Sequence, residues 1–280
     1  MKNPLVWIIL FVLAAGAAWY LTMRQDQAEV EEAVVIPSEV APEPPPEQYP
    51  VEEIQVPEPE PADPGPSEPE VPEPAPEPLP ILSESDPEVL EQAAALSPAL
   101  EALLIPEFVL SRIVTTVDAL DTARVAPPMR PTTSVPGRFT VLEANGQAVI
   151  SPQNAERYAP FVDIIKDLDT AQVVALYVRY YPLLQEAYLG LGEGDGRFND
   201  RVVEVLDHLL ATPEPVGLLE VRQVEANYVF VDPELEALSV GQKGLLRLSR
   251  EDRAIVKNRI RELRNALAGE TPEDASDPTR

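Results

Sequence analysis

Hydrophobic and polar positions divide the chain into three parts. The first is residues 5–23 (LVWIILFVLAAGAAWYLTM), which carry no charge and would span roughly 28 Å as a helix, close to the ~30 Å hydrocarbon core of a bilayer. This run predicts a membrane-spanning anchor, with residues 1–4 in the cytoplasm because Lys2 precedes it. A cleaved signal peptide is the alternative, since residues 15–17 fit a small-x-small cleavage site. We favour the anchor because apolar residues continue beyond that site.

In the second part, residues 24–80, proline alternates with glutamate and no apolar period is kept. From position 37 to position 80, 17 of the 44 residues are proline. Proline removes backbone donors and the like charges repel, so the segment has too little apolar area to offset the entropy of ordering. We expect a disordered, acidic, semi-rigid spacer.

The third part, residues 81–269, returns to helical periodicity and is followed by a polar tail at 270–280. Asp86-Pro87 and Ser97-Pro98 each place an N-cap residue before a proline, which is typical of a helix start. Further helices are predicted at 106–120, 151–168, 170–189 (capped by Thr170, with a kink or break at Pro182), 199–211, 232 onward, and 249–268 (capped by Ser249).

Two short stretches predict strands. FTVLEANGQAVI, at 139–150, is two apolar runs joined across Asn145-Gly146, which predicts a hairpin, and NYVFV at 227–231 predicts one further short strand. The predicted fold class is therefore mainly α (α+β). It is a helical C-terminal domain with a small β-hairpin and one further short strand, preceded by one transmembrane helix and the disordered Pro/Glu-rich spacer.

Charge and composition exclude several functions. Residues 25–111 hold 22 acids and no base, whereas residues 112–280 hold 26 acids and 19 bases. With Lys2 and Arg24, the net charge is −27. Such front-loaded acidity argues against nucleic acid as a partner, because a polyanion needs a basic footprint. The absence of cysteine excludes disulfides, thiolate metal sites and cysteine nucleophiles.

A glycine-rich acidic loop, LGLGEGDGRFND at 189–200, raises the question of a bound ion. If Gly196 takes position 6 of a calcium loop, the weak metal candidates are Glu193, Asp195 and Asn199. The closing carboxylate is missing, because position 12 is Val202. We prefer a sharp turn followed by a helix that Asn199 caps, with Phe198 packed as a hydrophobic staple.

His208 is the only histidine, and no GxSxG nucleophile motif accompanies it. Its helical spacing places it opposite the apolar face, as a solvated or salt-bridged residue. Tyr177, Tyr181 and Tyr188 share one helical face. We interpret them as core residues, with a tyrosine-lined groove for a glycan or a peptide as the alternative.

The last predicted helix carries the one basic patch of this acidic chain. Its bases lie beside an apolar seam and are Arg250, Arg253, Lys257, Arg261 and Arg264. A solvated face is the simplest interpretation. The functional interpretations are docking onto an anionic envelope polymer, lipid headgroups, a partner protein or the chain's own Glu-Pro spacer.

Three stretches carry a resemblance: YVRYYPLLQEAYLGLG at 177–192, FNDRVVEVLDHLLATPEP at 198–215, and NYVFVDPELEALSVGQKGLLRLS at 227–249. Together they resemble a family of proteobacterial proteins known only as a domain of unknown function, over roughly residues 80–268. The resemblance implies a membrane helix, a Pro-rich spacer and one C-terminal domain in a bacterial envelope. It implies no activity, substrate or catalytic residue.

We therefore expect a single-pass inner-membrane protein whose periplasmic domain is a non-enzymatic interaction or scaffold module. Its expected partners are the membrane and an unidentified envelope protein or anionic polymer, and no cofactor is expected. One alternative is an envelope glycan hydrolase that uses paired carboxylates, and another is a calcium-responsive domain.

Overall fold

Helices alternate with two β-hairpins in the part of the chain that the structure describes. The structure is a computed structural model that describes residues 48–54, 78–144, 146–192, 194–225 and 227–269. Its helices are α1 (Asp86–Leu96), α2 (Pro98–Glu101), α3 (Val109–Asp118), α4 (Asn154–Asp167), α5 (Thr170–Leu189), α6 (Phe198–Leu210), α7 (Pro233–Glu236), α8 (Val240–Leu246) and α9 (Arg250–Leu267). Its strands are β1 (Val141–Ala144), β2 (Gln147–Ile150), β3 (Val221–Val224) and β4 (Asn227–Phe230).

The core lies between the long helices. Helix α5 packs against α3, α6 packs against α9, and α9 also contacts α4 and α5. The apolar face predicted for α6 is confirmed, because Val202, Val205, Leu206 and Leu209 are all buried. The largest fully buried side chains are aromatic, and they are Tyr158, Phe161, Tyr177, Tyr180 and Phe198.

The two hairpins correct the predicted fold class in one respect. The hairpin predicted at 139–150 is confirmed, with Val141 opposite Ile150. The single strand predicted near 227 is instead half of a second antiparallel hairpin, in which Val221 lies opposite Phe230. Strand β3 is only four residues long, VRQV, and only Val221 of it is buried, so its alternation gave little signal. The domain is α+β with two small hairpins.

The fold-class prediction also included a transmembrane helix over residues 5–23. Within the described ranges, no helix is both long enough and apolar enough to cross a bilayer. The long helices are amphipathic instead: α5 carries Arg179 and α9 carries Arg259 between buried apolar positions. Residues 5–23, on which the prediction rests, lie outside the described residues.

Residues 48–54 depart from the prediction of a disordered spacer over residues 24–80. This segment (QYPVEEI), here called the docked segment, forms one 3₁₀ turn at Val51–Glu53 and lies against the helical domain. Ile54 is buried in the core, and Tyr49 and Val51 pack against it. Apolar residues at these three positions supply the contact area that the neighbouring Pro-Glu repeats lack.

An arginine clamp joins α6 to α3. Arg201 donates to Asp118 Oδ1 at 2.8 Å and to both carboxylate oxygens of Asp121 at 2.8 Å. Burial alone would lower the pKa of Arg201, but hydrogen bonds to Asp121, Asp118 and Glu204 outweigh it and raise the pKa above its ordinary value. The clamp fixes the start of α6 relative to the core.

Several helix starts use caps other than those predicted. Asp169, not Thr170, caps α5 by accepting from the N–H of Ala171. Asp86 reaches across to accept the N–H groups of Phe108 and Val109 at the start of α3. The cap predicted at Ser249 is confirmed, since its Oγ accepts from Asp252 N–H. A kink or break was predicted at Pro182; helix α5 continues through this residue, so it does not break there.

We expect Gly241→Ala to lower the free energy of unfolding by about 1–3 kcal/mol, as overpacking does. A Cβ at position 241 would lie 2.8 Å from the backbone oxygen of Leu120 and 2.5 Å from Leu209 Cδ2. Thermal or urea unfolding measures the loss. Gly190→Ala is the control, because its Cβ would approach no atom closer than 3.2 Å. Equal stability of the two variants would contradict the prediction.

We expect Glu88→Gln to flatten the loss of stability in acid. Burial would raise the pKa of Glu88, but hydrogen bonds from Tyr180 and Arg179 outweigh it and hold the pKa below 4.5. The carboxylate therefore stabilises the fold above its unfolded pKa, and this stabilisation is lost as the pH falls through its folded pKa. Melting temperatures between about pH 7 and pH 3 measure the slope. Glu91→Gln, on an exposed position of the same helix, should retain the original slope. An unchanged slope in the Glu88 variant would refute the prediction.

Candidate functional site

The glycine loop between α5 and α6 is held in place by one glutamine. Gln185 Nε2 donates to the backbone oxygen of Gly196 at 2.8 Å, and Gln185 Oε1 accepts from Phe198 N–H at 2.7 Å. Gly192 and Gly194 have φ values of 96° and 67°, which favour glycine. The loop is therefore a turn whose α6 end is held against α5 by Gln185.

The predicted cap at Asn199 is wrong, and its actual position matters more. Helix α6 already begins at Phe198, so Asn199 lies in its first turn and is fully buried. Its Nδ2 donates to Leu267 O at 3.0 Å and to Tyr49 O at 2.9 Å. Phe198 packs on Tyr188, with ring centroids 5.4 Å apart, rather than acting as a staple outside the helix.

Asn199 and Asp200 together recognise the main chain of the docked segment. Asp200 Oδ1 accepts from Tyr49 N–H at 2.6 Å, while Asn199 donates to the carbonyl oxygen of the same residue. Both backbone polar groups of Tyr49 are therefore satisfied by consecutive side chains of α6. Such pairing recognises the main chain of an extended segment and does not depend on the side chain of the paired residue.

Side-chain contacts complete the groove around the docked segment. The Tyr49 ring faces the guanidinium of Arg264, whose Cζ lies 6.0 Å from the ring centroid. Arg197 hydrogen-bonds the Gln48 amide oxygen. A cavity of about 710 Å³ adjoins this contact, lined by Tyr188 and by charged residues of the loop and α6. We call this cavity, with the residues that contact the segment, the docking groove.

The three candidate tyrosines do not form one open surface. Tyr177 is buried in the core, and burial raises the pKa of its hydroxyl well above the ordinary value. Tyr181 donates to Gln185 Oε1 at 2.9 Å. Tyr188 is buried but lines the docking groove. The structure thus assigns Tyr177 to the core, Tyr181 to the loop and Tyr188 to the groove.

The predicted basic patch is largely paired within the domain. Arg253 and Lys257 both contact Glu214, Lys257 also donates to Thr212 O, and Arg264 pairs with Asp207. Arg261 is exposed and donates to Asn258, and Arg250 is exposed near Pro215 O. Most of these bases therefore stabilise helix contacts rather than form one free cationic face.

The weak calcium candidates are not gathered into a site. Glu193 lies outside the described residues, Asp195 is exposed on the loop, and Asn199 is buried with its amide bound to two carbonyls. Among the described residues, no group of His, Asp and Glu is arranged to hold a metal ion.

His208 has a partner that the sequence pattern missed. Its Nε2 lies 2.9 Å from Ser239 Oγ, which also accepts from Gln242 N–H at the start of α8. His208 was predicted to be solvated or salt-bridged, and its side chain is only partly exposed. Neither the docking groove nor a second cavity beside α9 is lined by His208 or Ser239. This contact joins α6 to the cap of α8.

One family matches the region that contains this site. Its description is "Protein of unknown function (DUF3014)", and the match covers residues 109–264. The chain belongs to this family. The DUF3014 match runs from the start of α3 into the last turns of α9, so it includes Asn199 and Asp200 but not the docked segment. The expected membership of a family of unknown function is confirmed, whereas no curated protein and no solved structure matches.

The sequence predicted that residues 48–54 are disordered, although the chain's own Glu-Pro spacer was one candidate for docking on the basic face of α9, where Arg264 faces the Tyr49 ring. The available signal was a break in the Pro-Glu alternation at QYPVEEI, where Tyr49, Val51 and Ile54 introduce apolar side chains. Which part of the domain would receive them could not be read from the sequence.

We expect Asp200→Ala to release the docked segment while leaving the helical domain folded. The variant loses the acceptor of Tyr49 N–H, which lies in the partly exposed contact. Hydrogen exchange at the Tyr49 amide should therefore accelerate at least tenfold. Asn199→Ala should release the segment and also destabilise the domain by about 1–3 kcal/mol, because Leu267 O loses its donor.

Asp195→Ala serves as the matched control, since Asp195 is an exposed residue of the same loop. It should leave the Tyr49 amide protected. A protected Tyr49 amide in the Asp200 variant would contradict the assignment.

Proposed function

We propose that the DUF3014 domain is a non-enzymatic interaction module that binds an extended peptide segment in the docking groove. The observation that carries this proposal is the pairing of both backbone groups of Tyr49 by Asn199 and Asp200. Elsewhere in the domain Asn154 pairs both backbone groups of Thr140 in the same way, but those two residues are only 14 positions apart. Here two side chains of a helix are committed to one residue that is 150 positions distant in the chain.

The groove suits a peptide better than a glycan. The groove recognises two main-chain groups of Tyr49. Its N–H donates to Asp200 Oδ1 at 2.6 Å, and its C=O accepts from Asn199 Nδ2 at 2.9 Å. Selection among peptide sequences would come from two side-chain contacts. An aromatic ring would stack against Arg264, as that of Tyr49 does, and an aliphatic side chain would occupy the position of Ile54. The proposed ligand is therefore a short segment with an aromatic residue followed by aliphatic ones.

The chain's own docked segment is the occupant seen in the structure. Residues 55–77 connect it covalently to the domain, so it binds the groove intramolecularly and at a raised effective concentration. A partner segment must compete with it. The module would thus exchange an internal ligand for an external one, as a scaffold does when it assembles.

The proposed setting is the envelope of a proteobacterium, with the domain in the periplasm and the N-terminus at the inner membrane. Its support is the sequence alone: the charge-free residues 5–23 and the stretches that resemble proteobacterial proteins. An envelope protein with an exposed extended segment is the partner class that this setting supplies. An anionic polymer is less suited, because most bases of α9 are already paired.

A glycan hydrolase at this groove is disfavoured by its charges. A general acid needs a carboxyl group whose pKa is raised by apolar surroundings. Three of the four acids that line the groove are instead engaged in ion pairs with arginines, Asp200 with Arg197, Glu204 with Arg201, and Asp207 with Arg264, and the fourth, Asp195, is exposed.

A competition experiment tests the proposed function. A labelled peptide of residues 46–56 should bind a full-length chain in which residues 48–54 are replaced by Gly and Ser. It should bind the unaltered chain at least tenfold more weakly, because the internal segment competes. Fluorescence anisotropy measures both affinities.

The matched control is the same peptide with an N-methyl group on Tyr49. The methyl group removes the N–H that Asp200 accepts and leaves the side chains intact. This peptide should bind at least tenfold more weakly than the unmethylated one. Equal binding of the two peptides would rule out main-chain recognition.

A further inference from the structure

A second cavity lies near the other end of α9 from the docking groove. It has a volume of about 350 Å³ and is formed by the end of β2 and the start of α4, by the loop around Gly217, and by the junction of α8 and α9. Its walls are mainly aliphatic, from Ile150, Leu218, Leu219, Leu246 and Leu248. We call it the α9 cavity.

The charged residues that line the α9 cavity are all arginines. Arg247, Arg250 and Arg253 contribute to its wall, and no aspartate or glutamate does so among the described residues. This is unusual in a chain with a net charge of −27. Arg250 is exposed at the rim, whereas Arg247 and Arg253 are buried.

Arg253 is the residue that indicates a ligand. Its side chain is only 5% exposed, and its Nη1 has no hydrogen-bond partner among the described residues. Glu214 Oε2 lies 3.0 Å from Nε and forms an ion pair with it, which leaves Nη1 without a partner in the described part of the chain. A buried guanidinium with unpaired donors is costly unless an anion completes it.

The surroundings favour an anion of single charge. Arg253 is in the first turns of α9, an 18-residue helix whose N-terminal end carries a partial positive charge. Glu251 and Asp252 lie in the same turn and offset part of that field, and Glu214 already neutralises part of the charge on Arg253 and Lys257. The remaining positive charge suits a carboxylate better than a dianion.

We propose that the α9 cavity binds an aliphatic carboxylate, with the carboxylate on Arg253 and the aliphatic body against the leucine-rich wall. The planar guanidinium matches a carboxylate, and the wall excludes water from the contact. The carboxylate would come from a free short-chain acid or from the C-terminus of a peptide. This site goes beyond the proposed peptide groove and shares no lining residue with it.

Calorimetric titration of the full-length chain tests the proposal with three probes. Hexanoate should bind at least tenfold more tightly than 1-hexanol, which has the same aliphatic body and no charge. Inorganic phosphate should bind more weakly than hexanoate. Equal binding of hexanoate and hexanol, absence of hexanoate binding, or preference for phosphate would each overturn the proposal, and none of these tests requires a variant.

Two variants then locate the site. Arg253→Met keeps much of the aliphatic volume and removes the charge, and it should reduce hexanoate affinity to that of hexanol. Lys257→Met is the matched control, because Lys257 contacts the same Glu214 but does not line the cavity. It should leave hexanoate binding within about twofold of the original. Unaltered hexanoate binding in the Arg253 variant would overturn the assignment to this cavity.

A further pair of probes identifies the source of the carboxylate. A tripeptide that ends in leucine with a free carboxylate is compared with its C-terminal amide. Binding of the acid and not of the amide, with an affinity above that of hexanoate, would assign the site to peptide C-termini. Tighter binding of hexanoate than of either tripeptide would assign it to free acids.

Discussion

The arrangement of the docking groove depends on one buried amide, that of Asn199. Its Nδ2 group donates to Leu267 O at the end of α9 and to Tyr49 O of the docked segment. Two carbonyls from distant parts of the chain therefore converge on the first turn of α6. A carbonyl at a helix C-terminus has no partner within its helix, and it requires one when buried. The same donor group that completes α9 thus also fixes the position of the peptide backbone.

This dual role explains why the groove can be rigid although a glycine-rich loop borders it. Gln185 closes the loop, and Arg201 clamps α6 to α3 through Asp118 and Asp121. Asn199 and Asp200 therefore lie on a helix that is held by Gln185, by the Arg201 clamp and by the hydrogen bond from Asn199 to Leu267 O, none of which involves the docked segment. Preorganisation of this kind reduces the ordering cost of binding. The glycines supply the turn geometry, with positive φ at Gly192 and Gly194.

The sequence predicted the elements of the domain better than their use. The apolar spacing of α6 and the Asn145-Gly146 turn were sufficient for a helix and a hairpin, because both are local signals. The pairing of β3 and the position of the docked segment depend on contacts between distant residues, which local periodicity does not encode. Asn199 shows the difference most clearly. A helix-capping residue type at a helix start suggested a local cap, whereas the buried carbonyls of Leu267 and Tyr49 determined its actual partners.

Helix α9 relates the two proposed sites. Leu267 and Arg264 lie at its C-terminal end, beside the docking groove, and Arg250 and Arg253 lie at its N-terminal end, beside the α9 cavity. The helix dipole fits both assignments, because a donor amide meets the negative end and an anion would meet the positive end. Since 14 positions separate Arg250 from Arg264, the ends are about 21 Å apart at 1.5 Å per residue. Screening over about 8–10 Å makes direct electrostatic coupling small, so communication between the sites would require movement of α9 itself.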